Sequence, residues 1–225
     1  MVKVVLVGTN ATSLKGHKTG LWLEELASPY YLFVEKDYEV IVASPAGGPI
    51  PIDEASLGEY FFTDPAKRFM HDATAVGKLG HSIKLSDVDL ESVDGIFFAG
   101  GHGAVVDFVG TPDVKNAIES MYRSGKVVAA VCHGVVCLTD CVQEDGTTPL
   151  IKGKTVAGFS NTEEDVVQLT ALVPFSLEDK LKELGGKYEK VDDWNPKVCV
   201  DQKLVTGQNP QSSEVTAKAM IELLE

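Results

Sequence analysis

Short apolar runs rich in valine alternate with segments of helical periodicity along most of this 225-residue chain, and this alternation restricts the fold more than any other feature. Runs that are apolar throughout are typical of strands covered on both faces. Strand–helix–strand order implies right-handed crossovers between parallel strands. We therefore predict one α/β domain over residues 1–225, a doubly wound, mainly parallel sheet with helices on both faces. The predicted strands are Val4–Val7, Val40–Ala43, Gly95–Phe98, Val127–Val131, Thr155–Ala157, Val198–Val200 and Leu204–Val205, and the predicted helices are Leu21–Phe33, Pro112–Tyr122, Val135–Asp140 and a last helix from Asn209 to the end.

Two stretches interrupt this alternation. Ser44–Lys84 is rich in proline, glycine and short apolar pairs, and it is too long for a plain connection. We interpret it as a small cap excursion with short helices, lying over a cleft. Val142–Lys154 has the composition of an exposed, turn-rich insertion.

The composition restricts the kinds of partner. With 33 acidic and 20 basic residues the net charge is −13, and no basic block stands out, so we expect neither a nucleic acid nor an anionic membrane surface as a partner. No apolar run approaches the roughly 20 residues that span a bilayer, and no signal peptide is visible. Four cysteines in a chain of this length do not indicate a disulfide scaffold. We expect a cytoplasmic protein.

Cys132 is the first candidate catalytic residue. It directly follows the predicted strand Val127–Val131, and Gly134 stands two residues later, before a predicted helix. Ligands bind at the carboxyl ends of strands in such folds, and a sharp strand-to-helix turn exposes its middle side chain. A helix N-terminus also favours a thiolate. We therefore predict that Cys132 is a nucleophile with a lowered thiol pKa. The other three cysteines are expected to be buried and unreactive: Cys137, Cys141 and Cys199.

A second candidate is the glycine-rich turn after the strand Gly95–Phe98. Gly100, Gly101 and Gly103 surround His102 there, and glycines at a strand end let backbone N–H groups approach a developing oxyanion. The string is not a dinucleotide fingerprint, because Val106 stands where the pattern requires glycine. It indicates either an oxyanion site or a plain flexible turn.

The first predicted helix places one carboxylate on its apolar face. A helical wheel with Trp22, Leu26 and Phe33 on the buried side puts Glu24 toward solvent and Glu25 inside the apolar arc. A buried carboxylate is costly unless it is paired or protonated. Glu25 is therefore expected either to share a proton with a nearby thiolate or to form an ion pair with a lysine or arginine.

An acidic cluster could orient a histidine. Ser160 is a good N-cap for a helix whose first turn holds Glu163, Glu164 and Asp165, and these charges suit the helix dipole without any function. His133 needs an acidic partner if it acts as a base, however, and this cluster is a plausible source.

No metal site or cofactor is predicted. Cys137 and Cys141 share a helix face, but no second pair of ligands accompanies them. His17, His71 and His81 stand on loop-like stretches without a recognisable partner, and we expect surface or packing roles for them.

The chain resembles the PfpI/ThiJ superfamily of class I glutamine-amidotransferase-like, flavodoxin-like folds, and within it the heat-shock chaperone/glyoxalase III branch. The resemblance covers nearly the whole chain. Five segments carry it in order: Lys18–Glu25, Ala99–Gly103, Ala129–Gly134, Gly158–Glu164 and Leu204–Pro210.

The resemblance implies roles for particular residues. Cys132 and His133 match the catalytic pair of the family, and Glu25, four residues before a proline, matches its conserved acid. Gly101 and the backbone N–H of His133 match the oxyanion hole. Motif spacing assigns Glu164 as the third member of the triad, whereas a helical wheel places Glu163 inward; we give the motif more weight. The predicted substrate-binding residues are Gly100, His102 and Trp194.

The resemblance favours a cofactor-independent glyoxalase III that converts methylglyoxal and water to lactate, with an aldehyde or dicarbonyl substrate and a homodimeric assembly. One alternative is a thiol amidase, peptidase or protein deglycase that uses Cys132, His133 and Glu164. Another is a holding chaperone or redox sensor without essential catalysis. A fold-level likeness does not choose among these functions.

Overall fold

A seven-stranded sheet forms the centre of the computed structural model, which describes all residues 1–225. Its strands are β1 (Lys3–Val7), β4 (Glu39–Ser44), β5 (Ile83–Lys84), β6 (Gly95–Phe98), β7 (Val127–Val131), β10 (Val198–Asp201) and β11 (Leu204–Gly207). Their order in the sheet is β10–β11–β7–β6–β1–β4–β5, with all neighbours parallel except β10 and β11. The predicted doubly wound α/β fold is confirmed.

Two short strand pairs lie outside the central sheet. One joins β2 (Ser13–Leu14) to β3 (His17–Lys18), and the other joins β8 (Thr155–Val156) to β9 (Lys187–Tyr188). The strand predicted at Thr155–Ala157 therefore forms, but outside the main sheet. The backbone N–H of Thr155 donates to the Asp201 carboxylate and that of Ala157 donates to the Thr206 hydroxyl. Strand β8 therefore has a backbone ladder only with β9, and side chains of the central sheet hold it on its other side.

Helices cover the sheet because its central strands are apolar on both faces. Every residue of β6 and β7 is buried. The α-helices are α1 (Leu23–Glu35), α2 (Asp64–Met70), α3 (Ala73–Gly80), α4 (Ala104–Asp107), α5 (Pro112–Arg123), α6 (Asn161–Val166), α7 (Leu177–Glu183) and α8 (Ser213–Leu224). Short 3₁₀ helices span Glu54–Leu57, Leu85–Asp87, Leu90–Ser92, Cys132–Leu138 and Pro210–Ser212. None of the helices is long and apolar enough to span a bilayer.

Helix α1 is buried on more faces than its wheel predicted. It packs against α8 and against α2. Glu24, which we expected to face solvent, is only partly exposed, and its carboxylate accepts a hydrogen bond from Thr63, the N-cap of α2. Burial raises the pKa of Glu24 to about 7, although hydrogen bonds from Thr63 and Ser28 oppose this rise. The prediction for Glu24 is wrong because α2 covers its side of the helix.

The two interruptions of the pattern have the expected kind of structure. Residues 44–84 contain a 3₁₀ helix, α2, α3 and the edge strand β5. Their role as a cap stays a prediction. Residues 142–154 contain turns and no helix or strand, and Leu150 and Ile151 anchor the segment in the core.

Candidate active site

Cys132 lies at a strained turn where β7 ends. Its φ is +57°, a left-handed conformation that is costly for a residue with a side chain. A 3₁₀ helix, and not the α-helix predicted from Val135, begins at Cys132 itself. Gly134 permits this turn, because a Cβ there would lie 2.5 Å from the carbonyl oxygen of Phe98. The turn holds the thiol at the end of the central strand, where it lines a cavity.

His133 links the thiol to a carboxylate. Its Nδ1 lies 3.5 Å from Cys132 Sγ, and its Nε2 lies 2.7 Å from Glu164 Oε2. His102 Nε2 lies 2.8 Å from the other oxygen of the same carboxylate. Glu164 is nearly buried, which would raise its pKa, but hydrogen bonds from His102 and His133 outweigh burial and lower the pKa to about 2.

The ionised Glu164 fixes the histidine tautomers. A carboxylate only accepts hydrogen bonds, so both Nε2 atoms carry a proton and donate it to Glu164. Burial, followed by the neighbouring His102, lowers the pKa of His133 to about 4. His133 is therefore neutral at physiological pH, and its unprotonated Nδ1 faces the thiol.

The adjacent acids Glu163 and Glu164 have different contacts. Glu164 reaches His133, as motif spacing indicated, but Glu163 is also buried, as the wheel indicated. Glu163 accepts hydrogen bonds from Asn209 and from the backbone N–H of Trp194, and it completes a capping box with Ser160. Glu163 thus holds the loop that carries Trp194.

Glu25 is fully buried beside the thiol. Its Oε2 accepts a hydrogen bond from the Gly100 N–H at 2.7 Å, whereas its Oε1 has no hydrogen-bond partner. The Cys132 side chain opposes the rise in the pKa of this carboxyl, which indicates that the thiol lies close to it. No lysine or arginine pairs with it, so the ion-pair alternative is wrong. Burial raises the pKa of Glu25 to about 8.

The same burial changes the expectation for the thiol. Burial, together with the Glu25 carboxylate, raises the pKa of Cys132 well above its ordinary value. We expected a lowered pKa from a helix N-terminus, but a 3₁₀ helix of seven residues offers little dipole against full desolvation. Burial therefore disfavours the charged form of both groups, the Cys132 thiol and the Glu25 carboxyl.

The glycine-rich turn packs closely against the turn that carries Cys132 and His133. The N–H of His133 donates toward Cys132, and a Cβ on Gly100 would lie 2.9 Å from that nitrogen. Gly101 has φ +94°, and a Cβ there would lie 2.3 Å from the carbonyl oxygen of Gly20. Only glycine fits at either position. Gly101, His133 and Cys132 line the same cavity, and the oxyanion role of the two donors stays a prediction.

A cavity of about 330 Å³ opens over Cys132. It includes two of the predicted substrate-binding residues, His102 and Trp194, whereas Gly100 lies behind it against Glu25. Sequence reasoning missed several lining residues: His17, Trp22, Phe61, Phe159, Val167 and Leu169. Trp22 and Phe159 stand inside the motifs that carry the family resemblance, which is the signal that could have identified them. His17, expected on the surface, is exposed at this cavity.

His102, His133 and Glu164 form the one cluster of three potential metal ligands in the structure. Their ligand atoms lie within 4.8 Å of one another, although the sequence spacing predicted no such set. A metal ion would require both Nε2 atoms without protons, and the hydrogen bonds to Glu164 place protons there. The cluster therefore fits a hydrogen-bonded network better than a metal site.

Known proteins resemble this chain over most or all of its length. The family model described as the DJ-1/PfpI family matches residues 17–223. Glyoxalase 3 of Candida albicans is 30% identical over 100% of this chain and 99% of its own length, and the glutathione-independent glyoxalase HSP31 of Saccharomyces cerevisiae is 30% identical over 93% and 91%.

Solved structures agree as well. The crystal structure of glyoxalase III from Candida albicans has a TM-score of 0.91 at 30% identity, covering 100% of this chain and 98% of that one. The rapid encystment protein of Francisella tularensis has a TM-score of 0.94 at 38% identity, with complete coverage of both chains. From the family model, the full-length relatives and the shared fold, we conclude that this chain belongs to the DJ-1/PfpI family.

Proposed function

We propose that the protein is a cofactor-independent glyoxalase III, which converts methylglyoxal and water to lactate. One observation carries the proposal: the strand-end thiol of Cys132 lies between a fully buried carboxyl, Glu25, and the His133–Glu164 pair. The full-length relatives that are named as glyoxalases support it.

In the first step a thiolate adds to the aldehyde. Glu25 takes the thiol proton, and Cys132 Sγ forms a bond to the aldehyde carbon C1. The π electrons of the carbonyl move to its oxygen, next to the N–H groups of Gly101 and His133. Glu25 then returns the proton to this oxygen, which gives a hemithioacetal.

In the second step one proton moves from C1 to C2 and a second proton moves between the oxygens on these carbons. His133 Nδ1 takes the hydrogen of C1 as a proton, the electron pair forms an enediolate, and the same nitrogen delivers the proton to C2. Glu25 transfers the hydroxyl proton from the oxygen on C1 to the oxygen on C2. C1 becomes a thioester and C2 an alcohol, so the oxidation of one carbon balances the reduction of the other.

In the last step water hydrolyses the thioester. Water adds to C1, the C–S bond breaks, and the thiolate recovers a proton. The products are lactate and free enzyme. No oxidant, reductant or thiol cosubstrate is consumed, because both redox changes occur within the substrate.

The shape of the cavity favours a small substrate over a peptide. Aromatic rings from different parts of the chain surround the space over Cys132, including Phe61 from residues 44–84 and Trp194 from the C-terminal part. An extended peptide needs an open groove. The hydrolase alternative is therefore less well supported. The predicted homodimer stays a prediction.

A side-by-side assay tests the proposal. We expect the protein to form lactate from methylglyoxal without glutathione, and to leave a glycated amine and a peptide amide unchanged under the same conditions. Faster release of amine or cleavage of amide would favour the deglycase or peptidase. Suppression of aggregation without turnover of any of the three would favour the chaperone.

Exhaustive chelation is expected to leave methylglyoxal turnover unchanged. Every step above uses a thiol, a carboxyl, an imidazole or backbone N–H groups of the chain. The measurement is turnover after dialysis against EDTA, with the metal content of the protein determined in parallel. Loss of turnover that returns with added zinc would contradict the mechanism and implicate the His102–His133–Glu164 cluster.

A further inference from the structure

A continuous series of aromatic rings borders the cavity. Trp22 and Phe61 meet edge to face with their centroids 5.0 Å apart, and Phe61 lies 6.4 Å from Trp194. Trp194 lies 5.9 Å from Phe159, which lies 4.4 Å from His133. The rings thus connect helix α1, the 44–84 segment and the C-terminal part to the residue next to the nucleophile.

The cavity is larger than methylglyoxal requires. At about 30 Å³ per water, a space of about 330 Å³ corresponds to about eleven water molecules. Methylglyoxal has five non-hydrogen atoms and would displace only a few of them. Most of the space would still hold water in contact with aromatic side chains. Covering this apolar surface with an apolar ligand lowers the free energy of the complex.

Apart from the exposed His17, the polar side chains at the cavity either hold hydrogen bonds within the protein or lie beside Cys132. Asp53 accepts hydrogen bonds on both carboxylate oxygens, from the Thr19 hydroxyl and the Ala55 N–H. His102 donates to Glu164. Except for His17, the remaining large side chains that face the space are apolar or aromatic, including Val167 and Leu169. The part of a substrate away from Cys132 would therefore meet mainly apolar and aromatic surface.

We propose that the site takes aryl-substituted 2-oxoaldehydes in preference to methylglyoxal, and that Phe61 and Trp194 are the residues that determine this preference. The inference rests on the proposed glyoxalase function. The aldehyde carbon would meet Cys132, and the aryl ring would lie among the aromatic rings, where edge-to-face contacts add to the burial of area.

The experiment compares kcat/KM for phenylglyoxal and methylglyoxal. In the wild-type protein we expect a 10- to 100-fold preference for phenylglyoxal, since even one methylene in an apolar pocket changes kcat/KM about 10- to 200-fold. In Phe61→Ala and Trp194→Ala the preference should fall at least about 5-fold. The two aldehydes differ in chemical reactivity, but this difference is the same for the wild type and the variants. It therefore cancels when the ratio of the two kcat/KM values is compared between proteins.

Tyr60→Ala is the matched control. Tyr60 is the aromatic neighbour of Phe61, but 90% of its surface is exposed and it does not line the cavity. Its removal should leave the ratio unchanged. Phe61→Leu keeps an apolar side chain without a ring, and provides the test should Phe61→Ala not fold.

Failure of the inference differs visibly from failure of the glyoxalase function. Turnover that depends on Cys132 but shows no aryl preference, or a preference that Phe61 and Trp194 variants retain, would overturn the inference alone. Equal rates for wild type and Cys132→Ala with both aldehydes would overturn the function and the inference with it.

Discussion

Cys132→Ala is expected to lower kcat/KM for methylglyoxal by at least about 10⁴-fold, to the rate without enzyme. Sγ is the only protein atom that bonds to the substrate in the proposed reaction, and losses of this order or larger follow removal of a nucleophile that acts together with its base. The remaining hydrogen-bond donors cannot form the thioester. The measurement is lactate formation by the variant against an enzyme-free control.

Cys137→Ala is the control for this experiment. Cys137 lies in the same 3₁₀ helix and is equally buried, but it does not line the cavity. Its loss should lower stability by about 1 kcal/mol through the small cavity left behind, with turnover retained. A Cys132→Ala variant that keeps a tenth of wild-type turnover would refute nucleophilic catalysis by this thiol.

Glu25→Gln is expected to lower turnover of methylglyoxal by roughly two to four orders of magnitude, the range for a lost general acid–base catalyst. The amide preserves the shape of the side chain but cannot take the thiol proton. The fold should survive, because a neutral isostere replaces a buried ionisable group. Circular dichroism checks the fold, and single-turnover kinetics check the chemical step.

The pH profile gives Glu25→Gln a second readout. In the wild type the reactive thiolate requires one proton to leave the Glu25–Cys132 pair, and the pKa of Glu25 is raised to about 8. The kcat/KM should therefore rise with pH up to about 8. In Glu25→Gln only the buried thiol titrates, and since burial raises its pKa, this rise should move to higher pH. An unmoved profile would contradict the role of Glu25.

Glu24→Gln is the matched control, because Glu24 is the adjacent residue on the same helix. It bonds to Thr63 and does not touch the thiol, so turnover should stay close to wild type. Its folded pKa is raised to about 7 from 4.5, so the stability linked to this group is complete below about 4.5 and declines as pH rises through about 7. Above pH 7 the variant should therefore unfold at a higher urea concentration than the wild type. If Glu24→Gln loses turnover while Glu25→Gln keeps it, the assignment of the two acids is reversed.

Local sequence patterns were sufficient for the sheet and for the position of the proposed nucleophile, Cys132. The wholly apolar runs at Val4–Val7, Gly95–Phe98 and Val127–Val131 became buried strands at those positions, because a strand covered on both faces must be apolar at every residue. A cysteine directly after such a strand necessarily lies at its carboxyl end. Cys132 could therefore be located without coordinates.

Patterns confined to one helix were less reliable. The wheel for α1 correctly predicted that Glu25 is buried, but it wrongly placed Glu24 in solvent. The periodicity of one helix does not reveal that α2 covers a second face of it. The wheel placed Glu163 inward and motif spacing pointed to Glu164, and the structure buries both side chains. Only the contacts distinguish them, because one carboxylate reaches His133 and the other holds the loop of Trp194.

The amino-acid sequence by itself determined the parallel α/β sheet, the strand-end cysteine and the buried acid beside it, because these depend on local polarity and on the direction of the strands. Only the tertiary structure decided the shared carboxylate of His102 and His133, the raised thiol pKa and the aromatic walls of the cavity. Each of these joins residues far apart in the chain, such as Phe61 and Trp194. The distances between these residues, and the exclusion of water from the thiol, arise only in the folded protein. They require helices and loops from separate crossovers to pack over the same end of the sheet.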